Sequence, residues 1–137
     1  MASSRIRTSV APVSYTHLFS DNLDTYGLIE AAPGRRVYVC SSSEDRTYSA
    51  LVNPDGALSD LKVFAERGGE SVAEDGAGNV YVANGQIFVY DSSGKQIALI
   101  AVPERPLQIL FGGADRRTLF ILAHHALFAV KVKNAGT

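Results

Sequence analysis

Cysteine occurs once in 137 residues, as Cys40, and tryptophan not at all. A lone cysteine excludes an internal disulfide and the multi-cysteine spacings of structural zinc sites, and it leaves the cellular compartment open. No stretch approaches the roughly 20 uninterrupted apolar residues that span a bilayer, although apolar residues make up 46% of the chain. Neither charge dominates: 13 Lys and Arg against 14 Asp and Glu leave a formal net charge of −1. With no basic run to follow a phosphate backbone and no spanning segment, neither nucleic acid nor a membrane is an expected partner. No glycine-rich phosphate cradle follows a strand and opens a helix, so no organic cofactor is expected. Segments of helical period are missing as well.

The first residues read differently from the rest. Met1 to Pro12 is basic and Ser-rich without the apolar core of a secretory signal. Pro12-Val13-Ser14-Tyr15-Thr16-His17-Leu18 resembles the translation of a transposon-end sequencing adapter. Residues 1–18 are therefore read as a non-native or disordered segment, and 19–137 as the folded domain.

What the chain has in abundance is alternation. From Phe19 onward, short runs rich in Val, Ile, Tyr and Phe alternate with period two and are bounded by Gly, Pro, Asp, Asn and Ser, which is the signature of strands and turns. Three runs look like one element used three times: Arg36 to Cys40, Asn79 to Ala83 and Thr118 to Ala123. Val37 and Val80 are 43 residues apart, and Val80 and Leu119 are 39 apart. Such a spacing fits blades of four strands in a β-propeller. Asn53-Pro54-Asp55-Gly56 and Asp91-Ser92-Ser93-Gly94 keep the same phase, and Asn84-Gly85 predicts a type I′ hairpin with positive φ at both residues. The pattern predicts an all-β chain, a partial β-propeller of about three antiparallel blades. The first has strands near 26–32, 35–41, 46–53 and 58–66, the second near 70–75, 79–84, 86–91 and 96–102. The last is one strand short, with strands near 107–112, 118–124 and 126–133. At 137 residues the chain is short for a complete ring.

Four segments then point to a family. Pro54 to Ser59, Asp75 to Ala83, Val102-Pro103-Glu104-Arg105-Pro106 and Phe111 to Phe120 together resemble, in that order, the C-terminal blades of the gluconolactonase/regucalcin (senescence marker protein) family of six-bladed propellers. The pairing of VPERP with FGGADRRTLF is the more specific part. The resemblance implies 19–137 as the C-terminal half of such a propeller. It also implies metal-dependent hydrolysis of a sugar lactone, with a divalent cation (calcium, magnesium or zinc) at the top of the channel polarising the lactone carbonyl.

Carried over residue by residue, the family's ligand pattern is incomplete here. Gly69-Glu70-Ser71 matches its Pro-Asp-Gly, so Glu70 keeps a carboxylate and is the candidate metal ligand. Tyr26, in Thr25-Tyr26-Gly27-Leu28, replaces an asparagine ligand. Ser41 replaces an aspartate. The Glu ligand of the first blade has no counterpart. His124, beside His125 in a hairpin turn, is a second candidate whose imidazole suits zinc better than calcium. Cys40 lacks an activating base and reads as a small core residue. Ser41 to Asp45 reads as a polar loop, and Asp75 to Asn79 as a β-turn without the ligand spacing of a calcium loop. Two functions follow: an incomplete lactonase, inactive as this chain alone, or a noncatalytic binding or scaffold module. A small-molecule lactone or sugar is the expected ligand, and a homodimer completing a six-bladed ring the expected assembly.

Overall fold

The computed structural model describes residues 25–29 and 34–137, with the side chains of Thr25, Tyr26 and Leu28 excepted. The adapter-like stretch therefore lies outside the described residues. The described chain is all β, in three antiparallel sheets, each following chain order. The first sheet contains β1 (Thr25–Leu28), β2 (Arg36–Ser41), β3 (Arg46–Val52) and β4 (Leu58–Ala65). The second contains β5 (Ser71–Glu74), β6 (Val80–Asn84), β7 (Gln86–Tyr90) and β8 (Gln96–Ile100). The third has β9 (Pro106–Gly112), β10 (Thr118–Ala123) and β11 (Leu127–Lys131), so it shows one strand fewer among the described residues. The strand order is the one the alternation predicts. The first strand, expected over 26–32, ends at Leu28, and 30–33 lie outside the described residues.

Alternation explains how the sheets stack. Successive residues of a strand face opposite sides, yet Val80, Tyr81, Val82 and Ala83 of β6 are all buried. Val80 and Val82 pack with Tyr38, Cys40 and Ala65 of the first sheet. Tyr81 and Ala83 turn the other way, onto Ile109, Phe111, Leu119 and Ile121 of the third. The middle sheet is thus covered on both faces. Tyr38 meets Phe64 edge to face at 4.9 Å, and Tyr81 meets Phe111 in the same way at 5.2 Å, an arrangement favoured by the ring quadrupoles.

The turns that recur in sequence recur in space. Gly56 donates to the Asn53 carbonyl at 2.9 Å and Gly94 to the Asp91 carbonyl at 3.0 Å. Both glycines have positive φ, +85° and +89°, where a side chain would be strained. The Asn84-Gly85 hairpin corrects the type I′ expectation. Only Gly85 has positive φ, +70°, and Asn84 stays in the ladder opposite Gln86. The reason is the Asn84 amide, which donates to the Gly68 carbonyl at 2.7 Å and to the Asp45 carboxylate at 3.2 Å. Those bonds hold Asn84 in the strand.

The last residues turn back onto the middle sheet. Gly136 bridges to Asp75, Gly76 donates to the Ala135 carbonyl at 2.7 Å, and Thr137 donates to the Glu74 carbonyl at 3.2 Å. This return, beyond a strand expected to end near 133, has no signature in the local composition.

Candidate functional site: a polar cleft at one end of the sheets

In a chain of antiparallel sheets, alternate connections come to the same end. The links β2–β3, β4–β5, β6–β7, β8–β9 and β10–β11 share one end here. Four of them line a cleft of about 250 Å³ with Ser42, Asp45, Gly69, Glu70, Asn84 and Arg105 among its walls. The lining is mostly polar, which suits a hydroxylated or charged ligand better than an apolar one.

The cleft floor is held by hydrogen bonds from the chain itself. Asp45 has φ of +51°, a conformation that aspartate tolerates better than most residues. Its carboxylate accepts from Gly68 N at 3.0 Å and from the Asn84 amide. Glu70 N donates to the Ala83 carbonyl at 2.9 Å. Gly68 and Gly69 are glycines for lack of room: a Cβ at Gly68 would overlap the Ser41 carbonyl oxygen, and one at Gly69 the Ala83 carbonyl oxygen. Just before them, Arg67 lies over the Phe88 ring at 3.6 Å and donates to the Tyr90 hydroxyl at 3.0 Å. The β4–β5 link is therefore fixed from Arg67 up to Glu70.

Glu70 has a partner. Its carboxylate forms an ion pair with the Arg105 guanidinium, Glu70 being mostly buried and Arg105 mostly exposed. Arg105 sits in the β8–β9 link, where Pro106 starts β9 at a position that needs no donated hydrogen bond. The neighbouring Glu104 accepts from His125 Nδ1 at 3.0 Å. His124 and His125 are both exposed, their rings packed edge to face at 4.3 Å. They lie at the same end as Glu70, joined to it through Glu104 and Arg105, but His124 does not line the cleft.

Ser41 ends β2 and is fully buried, and its Oγ has no hydrogen-bond partner among the described residues. It faces the interior, behind the Ser42 that lines the cleft. Tyr26 lies in β1 next to Thr25, the residue paired with Ser41, and its side chain is outside the described residues. Cys40 is buried and its thiol pKa is pushed up by burial, as for a core residue. Asp75, also fully buried, closes its own turn by accepting from Ala77 N at 2.9 Å and Asn79 N at 3.0 Å, as a β-turn reading requires.

The implied divalent cation can be tested against this donor set. Among the described residues no three His, Cys, Asp or Glu side chains gather as a metal cluster would require. Glu70 already faces a guanidinium, and the Asp45 carboxylate and the Asn84 NH2 are engaged within the chain. The described residues do not fit a closed cation site by themselves. Asp45, Asn84 and Arg105 are the cleft residues that sequence reasoning missed. Their signal lay in topology: each occupies a connection at the Glu70 end.

Known structures share this architecture. The chain superposes on a gluconolactonase from Xanthomonas campestris with a TM-score of 0.69 and 24% identity, over 82% of this chain and 39% of that one. Against a calcium-binding protein, regucalcin, from Agrobacterium tumefaciens strain C58, the TM-score is 0.75 at 19% identity, over 89% of this chain and 50% of that one. A luciferin-regenerating enzyme gives 0.61 at 16% identity, over 72% of this chain and 37% of that one. At these identities the likeness establishes the fold, and the chain spans half or less of each structure. No curated protein matches the sequence. No helix among the described residues is long and apolar enough to cross a membrane. The family model described as the SMP-30/gluconolactonase/LRE-like region matches residues 17–125, and the chain belongs to that family.

Proposed function

We propose that this chain is the C-terminal half of a gluconolactonase-like propeller, contributing one wall of a sugar-lactone site, and that it does not hydrolyse lactones alone. One observation carries the reading: in a chain of this family, Glu70, which the sequence resemblance sets at a ligand position, lines a polar cleft at the end where the sheet connections converge. If a full ring held a divalent cation here, Glu70 would be the ligand this chain contributes, and the cation would supply Lewis-acid chemistry. This half would hold hydroxyl groups of the sugar through Glu70, Asn84 and Arg105. Titration calorimetry with calcium, magnesium, manganese and zinc tests the assignment of Glu70. Any cation binding by this chain is expected to be lost in Glu70→Gln. Binding unchanged in that variant contradicts the assignment, and tight zinc binding lost in His124→Ala moves the site to the histidine pair.

A second reading is favoured by the Glu70–Arg105 ion pair. A carboxylate already neutralised by a guanidinium has less need of a metal ion, and the cleft then serves a noncatalytic module that binds a hydroxylated small molecule. Cation binding by Arg105→Gln but not by the unaltered chain would favour this reading over the first.

A further inference from the structure

The ion pair in the cleft joins the residues that precede two strands. Glu70 comes immediately before β5, and Arg105 immediately before β9. These strands belong to different sheets and lie side by side without a ladder between them. Ile109 N donates across the gap to Ser71 Oγ at 3.1 Å. At their far ends the same two strands are tied by a third segment, Asn134–Thr137. Toward the second sheet, Gly76 N donates to the Ala135 carbonyl at 2.7 Å, and Thr137 donates to the Glu74 carbonyl from its N at 3.2 Å and from its hydroxyl at 3.1 Å. Toward the third, Gly136 N donates to the Arg116 carbonyl at 2.8 Å. The Arg116 guanidinium in turn donates to the carbonyl oxygens of Gly136 at 3.4 Å and Thr137 at 2.5 Å. Arg116 thus grips the segment with backbone and side chain, and it does so at a φ of +55°, a conformation uncommon for any residue but glycine. Strain of this kind persists only where the surrounding contacts hold it.

We infer that Asn134–Thr137 is a releasable strap, clamped by Arg116, that sets the spacing of β5 and β9 and so positions Glu70 against Arg105, a role that rests on the cleft being the functional site. The strap closes a circuit through both sheets. Gly136 rests on Phe111, whose side chain a Cβ there would overlap, and Phe111 packs on Tyr81. Tyr81 donates to Asp75, and Asp75 bridges back to Gly136. Glu74 extends the tie to the first sheet through Arg35, at 2.9 Å. A displaced strap is therefore felt along both inner strands. Glu74, Phe111, Arg116 and Thr137 also line one end of a cavity of about 260 Å³ between these strands, and Ser71 and Gln108 line it nearer the cleft. The strap can let go because little apolar surface holds it. Asn134, Ala135 and Gly136 are half-buried, Thr137 is exposed, and none carries a large apolar side chain. Segments held mainly by hydrogen bonds near solvent open on their own, without global unfolding. Arg116 does not line the cleft and acts through the strands, as a positioning residue.

Nuclear magnetic resonance of the full chain tests release and positioning separately, and needs no ligand. The amides of Gly76, Gly136 and Thr137 are expected to exchange with solvent as one group, well before those of Val80 and Val82 in the middle sheet. Exchange only together with Val80 and Val82 would make the segment a fixed part of the fold and overturn its release. Arg116→Ala keeps the backbone demand at that position and removes the guanidinium, so it should speed the strap group roughly tenfold, the scale of a lost charge-assisted bond near solvent. Gly136→Val, with no room beside Phe111, should hold the strap off altogether. Its circular dichroism should match that of the unaltered chain, while the Arg105 Nε–H and Ile109 N–H signals shift as β5 and β9 part. Should that variant not fold, the chain ending at Lys133 gives the same readout, and failure of both to fold would overturn release. A strap group unchanged by Arg116→Ala would remove the clamp. Unmoved Arg105 and Ile109 signals in a folded strap-free variant would overturn the positioning role. Cation binding unchanged by Glu70→Gln contradicts the reading of the cleft instead, and the expected shifts would still establish the strap.

Discussion

The Tyr81 hydroxyl donates to Asp75 Oδ2 at 3.2 Å, inside the second sheet and away from solvent. Asp75 is fully buried, and the same oxygen accepts from the Asn79 amide at 2.9 Å. Burial, and then the Asp75 charge and hydrogen bond, push the Tyr81 phenol up to about 12 from an ordinary 10.0. The unfolded chain therefore loses this proton at lower pH than the folded one. Stability from Tyr81 is complete below pH 10 and is lost as pH rises toward about 12. A tenfold difference in proton affinity between the folded and unfolded chain is worth about 1.4 kcal/mol, so the loss approaches about 2 to 3 kcal/mol. Denaturant unfolding at several alkaline pH values should show a steeper fall for the unaltered chain than for Tyr81→Phe. Parallel curves would contradict the assignment.

The Ser41 Oγ, without a partner among the described residues, makes a prediction of opposite sign. A buried hydroxyl with no partner costs about 1 to 3 kcal/mol of desolvation. Ser41→Ala should leave the melting temperature unchanged or raise it by a few degrees. A fall of several degrees would mean that the hydroxyl has a partner after all.

Gly69 allows β5 to start against β6. Because a Cβ there would overlap the Ala83 carbonyl oxygen, Gly69→Ala must push the strands apart or break the bond from Glu70 N to that oxygen. A loss of roughly 2 to 4 kcal/mol is expected, within the range of overpacking and broken buried bonds. A thermal melt checks it, and an unchanged melting temperature contradicts the close approach.

The fold is legible in the sequence because its information is local and repeated. A run such as Val80-Tyr81-Val82-Ala83 states its strand by composition and its two-sided burial by having no polar alternate, and recurrence near 40 residues states the blade. The Asn84-Gly85 turn departs from its dipeptide rule because its geometry depends on Gly68 and Asp45, residues distant in sequence. The site is only partly legible for the same reason. Glu70 stands out through the sequence resemblance, which sets it at a ligand position, but the residues that surround it arrive from other connections. In sequence Arg105 reads as part of a blade crossing, and Asp45 as loop. Nothing local in Asn134 to Thr137 foretells their return to Asp75.

The central proposal is that this chain carries the family fold and part of a polar site without activity of its own. Hydrolysis of gluconolactone tests it most directly, followed with the soluble chain in the presence of calcium, magnesium, manganese or zinc and compared with metal and buffer alone. The account predicts a rate equal to that background with every cation, in the unaltered chain and in Glu70→Gln alike. Metal-dependent turnover well above background, abolished by Glu70→Gln, would contradict it.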